Sequence, residues 1–430
     1  MRRGVLGPIV LSCAVVLGAC AGRADALAPP GEITVDALVA RALADNPELR
    51  AVRLEVEAAE GRLKQAGLRP NPTLDLGGQK ALGPDNNLMA GVTLPLDLNG
   101  RKEGRVGVAE REVEIKRAQV RDRERRLRAE IRTKAGELLA AQRNLAVVDE
   151  LLGVNREALG LLQERVRQGA TAPLEESLLQ VEVSRLDSSQ RLLAGRVEVL
   201  AVQLRALAGL PPDAALAVKG ELAAPPLTMD RTVAISEALA ARADLETARG
   251  EAAMATAQVR KERAEGRWDA SINVGYQRQD FGFALNGLTA SGATRPIQDV
   301  FHYFGGGVSI TLPIRNKNQG NIAAALATAR AAERRVDAVM LTVRQEVVAA
   351  LAQYTAAKSA LGVYARGVRD AARRNLDVVK QTYQLGRTSL LDVIAEQRRF
   401  IEIEMGYTES LKQVYDAGVD LERAIGLGHR

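Results

Sequence analysis

"GVTLPLDLNGRKEGRVGVA", residues 91–109, reads as the end of a strand followed directly by a helix, and residues 307–325 repeat the pattern as "GVSITLPIRNKNQGNIAAA". In both stretches apolar residues first alternate with small or polar ones, which is the two-residue period of a strand. Glycine, asparagine and charged residues follow, and a long alanine- and charge-rich run then indicates a helix. The two stretches together predict an internal tandem repeat that combines a sheet with long helices.

Two further matches support the repeat. "VRQGATAPLEE" aligns with "YQLGRTSLLDV" at an offset of 217 residues, as from Gly169 to Gly386, and "RALAGL" aligns with the end of "LERAIGL" at the same offset. Each half reads as helix, strand, strand, long helix, turn and helix. The sequence therefore predicts a first repeat over 35–210 with a β-hairpin at 72–97, a linker over 211–229, and a second repeat over 230–430 with a β-hairpin at 268–314.

Composition favours long helices and gives no sign of a nucleic-acid partner. The chain has 430 residues, 59 basic and 53 acidic residues and a net charge of +6, and only 3% of its residues are aromatic. Because the charges nearly balance, they indicate solvated helix faces and not a surface for nucleic acid.

The N-terminus is predicted to be a secretory signal. Arg2 and Arg3 precede an apolar run that is too short to cross a bilayer. "LGAC" at 17–20 resembles a bacterial lipobox, so residues 1–19 are expected to be removed, Cys20 to be acylated and 20–34 to form a tether. Cleavage after Ala26 is the alternative, since "ADA" is also a signal-peptidase site.

The long helices are expected to pack as supercoils. In the first half a helix is predicted from about Gly104 to Gln168, roughly 100 Å long at 1.5 Å per residue. In the second half apolar residues recur every seven positions, which predicts continuous helix-on-helix packing: Val336, Val343, Ala350, Ala357, Tyr364, Ala371, Val378 and Leu385, with Met340, Val347, Tyr354, Leu361 and Val368 four positions further on. A plain antiparallel coiled coil remains an open alternative.

Four segments of alternating character predict membrane β-strands. About ten residues that are apolar on one side and small or polar on the other are typical of an outer-membrane barrel. Seven of the thirteen aromatic residues cluster around the second hairpin and are predicted to mark the membrane interfaces: Trp268, Tyr276, Phe281, Phe283, Phe301, Tyr303 and Phe304. Since four strands cannot close a barrel, other copies of the chain are expected to pair with the exposed edges.

Two turns are predicted to break the helices. Gly169 and Gly386 suit the left-handed position that ends a helix. Ser389 is expected to cap the next helix with Asp392 three residues later, and Thr171 or Ala172 precedes Pro173 at the start of the corresponding helix in the first half.

The mature chain, over about 35–427, resembles the TolC-type outer-membrane efflux proteins. The resemblance lies in the opening "ITVDALVARALADNPELRAVRLEVEAAEGRLKQAGLRPNPTL", the "LPL" and "LPI" strand ends and both glycine turns. The opening is most similar to the branch that serves heavy-metal and drug efflux. The resemblance implies a mostly α-helical homotrimer in which antiparallel helices form an α-barrel through the periplasm and four strands per protomer contribute to a twelve-stranded barrel in outer-membrane lipid.

The resemblance also implies partners and site residues. The expected partners are a periplasmic adaptor and an inner-membrane pump, of the RND type, and the expected function is a duct to the cell exterior. Gly169, Thr171, Gly386, Thr388 and Ser389 would form the tip where the adaptor docks. Asp392 matches an acidic residue of the family's pore constriction, while the family's second acid is replaced by Ala395.

Other functions are open or disfavoured. A protein-secretion duct of the same fold is one alternative, and a periplasmic coiled-coil adaptor is another, although an adaptor should lack the strands and clustered aromatics. The two histidines, His302 and His429, have no partners at metal-ligand spacing, and no phosphate loop is present. The sequence thus predicts neither an enzyme nor a resident cofactor or metal.

Overall fold

The computed structural model describes residues 33–82, 85–223 and 229–426, and most of these residues are helical. The predicted signal peptide, the lipobox and Cys20 lie outside the described residues, as does part of the linker predicted at 211–229.

The same order of helices and strands occurs twice along the chain. The first elements are β1 (Ile33–Thr34), α1 (Val35–Asp45), α2 (Pro47–Ala66), β2 (Thr73–Lys80), β3 (Asn86–Pro95), α3 (Arg101–Arg167), α4 (Pro173–Leu207) and β4 (Val218–Lys219). The elements that follow are α5 (Arg231–Ala241), α6 (Ala243–Glu265), β5 (Asp269–Leu288), β6 (Thr294–Thr311), α7 (Gln319–Val363), α8 (Arg369–Gln384) and α9 (Leu390–Ile425).

Both strand-to-helix transitions use a residue in the left-handed conformation. Gly100 has φ 82° directly before α3, and Asn318 has φ 60° directly before α7. Glycine adopts this region without a steric penalty, and asparagine is among the few other residues that do so readily. The prediction that the strands run directly into the long helices is therefore confirmed, although α3 begins at Arg101 and not near Gly104.

α3 is the central rod of the protomer. Its 67 residues span about 100 Å. It packs between α2 and α6 along its first half and between α4 and α9 along its second half. The sheet lies at the N-terminal end of α3, and the turn after Arg167 lies at the opposite end.

Five ion pairs connect α2 to α3. Only Leu49 and Ala59 of α2 are buried, so little apolar surface attaches this helix to the rod. The ion pairs have N···O distances of 2.6 to 2.8 Å: Arg53–Glu124, Arg62–Glu112, Lys116–Glu55, Arg117–Glu60 and Arg123–Glu48.

The helix breaks near the middle of the molecule are built alike in the two halves. Asn46, between α1 and α2, donates from Nδ2 to the carbonyl of Leu207 at 2.9 Å. Arg242, between α5 and α6, donates from Nη1 to the carbonyl of Ala424 at 3.4 Å. In each half a buried residue at the helix break thus satisfies a carbonyl at the C-terminal end of the half's last helix.

The predicted continuity of the second long helix is wrong. A π-helical turn over Tyr364–Val368 separates α7 from α8, and within it Gly367 has φ 112° and ψ 1°. Beyond the break the buried positions shift by one residue. Ala372 and Leu376 are each 3% exposed, whereas the predicted seam residues Val378 and Leu385 are 58% and 71% exposed. One extra residue in a helical turn rotates all later side chains, and this explains the shift.

A four-stranded antiparallel sheet completes the protomer. Its order is β2-β3-β5-β6, so the two hairpins pair through β3 and β5, and β2 and β6 form the edges. β5 and β6 extend beyond the last paired residues of β3, Asn86 opposite Asp280, and continue as a two-stranded ribbon. A short parallel pair, β1 with β4, lies apart from this sheet.

Candidate functional site

The turn between α8 and α9 has the predicted conformation. Gly386 has φ 71°, and the amides of Gly386 and Arg387 donate to the carbonyls of Tyr383 and Thr382 at 2.8 and 3.0 Å. This pattern is a Schellman motif, which satisfies the last carbonyls of a helix. Ser389 then caps α9 as predicted.

The cap at the start of α9 is a complete capping box. The Ser389 hydroxyl accepts from the Asp392 amide at 3.3 Å, and the Asp392 carboxylate accepts from the Ser389 amide at 3.0 Å. The Ser389 hydroxyl also donates to this carboxylate at 2.7 Å, and this bond lowers the pKa of Asp392. The Asp392 side chain is exposed.

The turn between α3 and α4 ends its first helix in the same way as the turn between α8 and α9, but the following helix is capped differently. Gly169 also has φ 71°, and the Ala170 amide donates to the carbonyl of Arg165 at 2.9 Å. Ala172 precedes Pro173 in an extended conformation and provides no side-chain cap. Of the two predicted residues before Pro173, Ala172 is therefore the one at the cap position, and Thr171 lies outside the helix.

The two turns lie at the same end of the molecule and are joined. The Tyr383 hydroxyl, on α8, donates to Glu175 Oε2, on α4, at 3.0 Å. Burial of the phenol and its bond to Glu175 raise the pKa of Tyr383. Beneath this contact an apolar cluster combines both halves of the chain, including Leu162, Leu179 and Leu390.

A buried carboxylate fixes the helices behind the turns. Glu182, on α4, is 1% exposed and accepts from Arg185 at 2.6 Å and from Arg398, on α9, at 2.7 Å. Burial raises the pKa of Glu182, but the two arginines outweigh this effect, and the pKa lies below its usual value. Neither Glu182 nor Tyr383 could be identified from the sequence, because an acid or a tyrosine on an amphipathic helix gives no distinct signal.

Thr388 is the one predicted tip residue with an unsatisfied group among the described residues. Its Oγ1 atom is buried and has no hydrogen-bond partner in the described ranges. Glu396, next to the absent second acid at Ala395, contacts Arg399 at 3.4 Å and keeps only 12% of its side chain exposed. The Glu396 side chain is therefore mostly buried.

The register of the sheet separates an apolar face from a polar face. Directly opposed residues of an antiparallel pair share a face. Val92 lies opposite both Leu74 and Val274, and Ile272 lies opposite Val308, so the apolar side chains of all four strands share one face. The other face carries Thr93, Asn273, Gln277 and several glycines. Its residues on β3 and β5 are mostly half-buried, except for the exposed Met89, Phe281 and Phe283, while those of the apolar face are mostly exposed.

A concave space lies against this sheet. It measures about 730 Å³ and is lined by residues of both faces, among them Asp75, Asn273 and Gln277 of the polar face and Val92 and Val274 of the apolar face. A sheet with one half-buried polar side and one exposed apolar side has the character of a barrel wall.

The structure divides the predicted interface aromatics between the two faces. Tyr276 and Phe304 are opposed on the apolar face with ring centroids 5.1 Å apart, and the Tyr276 hydroxyl is 2.7 Å from His302 Nδ1. Trp268 precedes β5, and its carbonyl accepts from Asn99 Nδ2 at 2.6 Å.

The remaining four aromatics lie on the polar face: Phe281, Phe283, Phe301 and Tyr303. Their odd numbers place them with Gln277 and Asn273 in the strand alternation. Counting along the strands in the sequence would have revealed this division.

Within the described ranges, no group of three or more His, Cys, Asp or Glu side chains could hold a metal ion. None of the helices in those ranges is both long and apolar enough to cross a membrane.

Comparisons with known proteins agree with this geometry. The family model for outer membrane efflux protein matches residues 38–210 and 234–427. The cobalt-zinc-cadmium resistance protein CzcC of Cupriavidus metallidurans is 22% identical over 396 residues, which cover 92% of this chain and 90% of the relative. The nickel-cobalt-cadmium resistance protein NccC of Alcaligenes xylosoxydans xylosoxydans is 25% identical over 343 residues, covering 77% and 71%.

Solved structures of similar fold include the CmeC outer membrane channel of Campylobacter jejuni. It superposes with a TM-score of 0.73 at 15% identity, covering 92% of this chain and 86% of that one. The chain therefore belongs to the outer membrane efflux protein family and is a TolC-type outer membrane factor, the efflux channel that works with an adaptor and an inner-membrane pump.

Proposed function

We propose that the channel is a homotrimer that carries heavy-metal cations out of the cell. The observation that supports this most strongly is the one-sided sheet at the end of a rod about 100 Å long. Its outer edges, on β2 and β6, pair with no further strand in the described part of the protomer. In a membrane such edges need partners, because unpaired backbone groups in lipid are costly.

Three copies supply the partners and a closed wall. Four strands from each protomer give twelve, above the minimum of about eight for a barrel. The apolar face then contacts outer-membrane lipid, with Trp268, Tyr276 and Phe304 near its interfaces, and the polar face lines the duct.

The proposed trimer can be tested by crosslinking its strand edges. Cysteines placed along β2, combined with one at Gly307 on β6, should give a product of three times the protomer mass under oxidation. Each single variant serves as the control. If all pairs yield only monomer in membranes, the proposed barrel is wrong.

The tip turns are the proposed docking site for the adaptor. Gly169, Thr171, Gly386, Thr388 and Ser389 lie together at the end remote from the sheet, where a partner that spans the periplasm can reach them. Arg387→Cys, at an exposed position of the same turn, should crosslink to the adaptor, whereas Glu110→Cys, also exposed but far up α3, should not. Crosslinking at Glu110→Cys alone would place the adaptor elsewhere.

Asp392 is the proposed acidic residue of the pore constriction. Three copies around a narrow passage would attract cations. Because the same carboxylate completes the capping box, two variants are needed. Asp392→Asn removes the charge but keeps an acceptor for the cap, and Asp392→Ala removes both.

If the charge acts on ions, both Asp392 variants should lose cation preference in planar-bilayer recordings. If only Asp392→Ala changes the current, the residue acts through the cap and not as a charged ring.

Heavy-metal cargo is proposed from the similarity to proteins named for cobalt, zinc, cadmium and nickel resistance. The RND type of the pump is proposed from the resemblance of the opening segment to the heavy-metal and drug efflux branch. Deleting the gene should increase sensitivity to these metals, and the intact chain should restore growth. A duct for protein secretion would instead leave metal sensitivity unchanged and abolish release of a secreted protein.

Lipid anchoring is proposed at Cys20, which begins the mature chain if the lipobox is used. More than one acyl chain anchors a protein stably. Mass spectrometry of the mature N-terminus should find an acylated Cys20. An unmodified N-terminus at Leu27 would establish the alternative cleavage.

A further inference from the structure

The polar face of the sheet carries an aromatic patch at its far end. The patch consists of Phe281, Phe301 and Tyr303, and it lies around the last paired residues of β3, at the end of the sheet remote from the helices. Phe301 and Tyr303 lie opposite Gln279 and Gln277, which still pair with β3, and Phe281 is the first residue of β5 beyond that pairing. Phe281 and Phe301 have ring centroids 5.8 Å apart at 77°, and Phe301 and Tyr303 lie 6.4 Å apart at 25°. The three rings thus form one continuous surface across the hairpin.

Packing within the protomer does not account for these rings. The three side chains are between 39% and 47% exposed. Neighbouring positions on the same face are Gln277, Gln279 and Gly305, with Met89 and Phe283 at the margins of the patch. Large apolar rings that stay exposed beside polar residues usually mark a contact with something else.

Acidic charge accompanies the patch. Asp299 lies directly opposite Phe281 on the same face. It accepts from the Val300 amide at 2.8 Å, and it forms no salt bridge with any residue in the described part of the chain. Within the regularly paired positions 73–80, 86–95, 269–283 and 297–311, this face has Asp75, Asp269 and Asp299 and neither Lys nor Arg.

The nearby cations lie outside the patch. Arg278 belongs to the opposite face and pairs with Asp280 at 3.1 Å. Arg295 lies four residues beyond Asp299, past the irregular pairing at Phe283. Aromatic faces and an unpaired carboxylate both attract a cation, and the rings favour one with an apolar covering.

We infer that this patch is a weak binding site for lipophilic organic cations, such as quaternary ammonium compounds, at the outer mouth of the duct. The inference rests on the proposed function, because it requires the polar face to line the passage. The trimer would then present three patches around the exit. Each would contribute cation–π attraction of moderate strength, which suits a site that cargo must leave.

The test uses planar-bilayer recordings of the full trimer with tetrabutylammonium as the probe. Wild-type current should be blocked in a concentration-dependent way. The double variant Phe301→Ser, Tyr303→Ser should raise the half-blocking concentration about fivefold or more, because exposed cation–π contacts are individually modest. Conductance in potassium salt should stay unchanged, which shows that the pore is intact.

Two controls separate the patch from the rest of the sheet. Phe304→Ser removes an aromatic ring from the opposite face and should leave the block unchanged. The exchange Phe301→Tyr, Tyr303→Phe keeps all rings and should also preserve it. Asp299→Asn should weaken the block without removing it.

The outcomes distinguish the site from the duct. A wild-type pore that conducts potassium but is not blocked by tetrabutylammonium overturns the site and leaves the duct in place. Equal weakening by Phe304→Ser also overturns it. A trimer that forms no pore overturns the duct, and the site with it.

Discussion

The two halves of the chain build their long rods differently. α3 is continuous for 67 residues, whereas α7 and α8 are separated at Tyr364–Val368. At the aligned offset of 217 residues, the positions corresponding to the break are 147–151, where α3 is regular and Val148 and Leu151 are buried. The same repeat thus tolerates a straight rod and a broken one.

Polar and aromatic contacts surround the break. Arg143, on α3, and Arg369, on α8, approach the ring of Tyr407 at 5.2 and 5.3 Å. Glu404, on α9, is 3% exposed and accepts from Arg369 at 2.6 Å, which raises the pKa of that arginine. The comparison teaches that where the apolar heptad packing is interrupted, between α7 and α8, ion pairs and cation–π contacts with α3 and α9 can hold the helices in place.

The largest predicted difference between the halves concerns their closing glycines. Gly209 and Gly426 both have positive φ, but a Cβ at Gly209 would lie 2.7 Å from the carbonyl oxygen of Asp45, whereas at Gly426 the nearest atom is 3.5 Å away. Gly209→Ala should lower the free energy of unfolding by about 2–4 kcal/mol, and Gly426→Ala by about 1 kcal/mol. Denaturation of the detergent-solubilised protein, followed by circular dichroism, measures both. Equal losses would contradict the asymmetry.

A smaller difference is expected between two glycines of the long helices, Gly367 at the break between α7 and α8 and Gly153 within α3. Gly367 adopts φ 112°, whereas Gly153 is helical with open space around its Cβ position. Gly367→Ala should destabilise the protein by about 1–2 kcal/mol. Gly153→Ala should stabilise it by about 0.5–1 kcal/mol, since alanine favours the helix. The same denaturation assay applies, and stabilisation by both variants would show that the break is not fixed in solution.

A smaller effect is expected at the caps after the two turns. Ser389→Ala removes a side-chain cap and should destabilise the start of α9 by about 1 kcal/mol. Ala172→Ser introduces a hydroxyl where none now caps α4, and it should stabilise that helix by about half as much. Hydrogen exchange of the first amides of α4 and α9 reports each end locally. Unchanged exchange in the Ala172→Ser variant would indicate that Pro173 alone fixes this end.

The smallest expected effect is a difference between Glu182 and Asp416 in how stability depends on pH. It is small because solvent screens the half-exposed arginines that pair with Glu182. Its pKa is lowered, so its contribution to stability is full above the ordinary value of 4.5 and is lost as the pH falls through the folded-state pKa. Burial raises the pKa of Asp416, so its contribution is present below 3.8 and lost as the pH rises through its folded-state pKa.

Unfolding measured between pH 3 and 7.5 tests the two signs. Glu182→Gln should flatten the loss of stability in acid, and Asp416→Asn should be more stable than wild type near neutral pH. Parallel pH profiles for wild type and both variants would contradict these assignments.

The sequence was sufficient for the features that local chemistry determines. Gly169, Gly386 and Ser389 lie where turn and cap preferences require them. In the strands, the alternation of apolar residues correctly places the apolar side chains on one face of the sheet. The division of the aromatics could also have been read from the sequence, since residue parity assigns Phe301 and Phe304 to opposite faces.

The helix breaks are less accessible to sequence reasoning. Asn46-Pro47 is a recognisable boundary, but Arg242 lies in an alanine-rich run without a breaking signal. The apolar heptads continue through Tyr364 and Val368, and only the glycines at 362 and 367 indicate an interruption. Tertiary contacts from α3 and α9 decide the outcome there, and such contacts leave no periodic trace in the sequence.

The five ion pairs between α2 and α3 have a consequence for alignment. Exposed pairs of this kind add little stability individually. Both signs occur along α2, however, with Glu48, Glu55 and Glu60 facing bases while Arg53 and Arg62 face acids. Sliding α2 along α3 by one helical turn, roughly 5 Å, in the direction that brings Arg62 towards Arg117 would separate it from Glu112. The charges therefore select one register for a helix that buries only Leu49 and Ala59 and so has little apolar surface to fix its position.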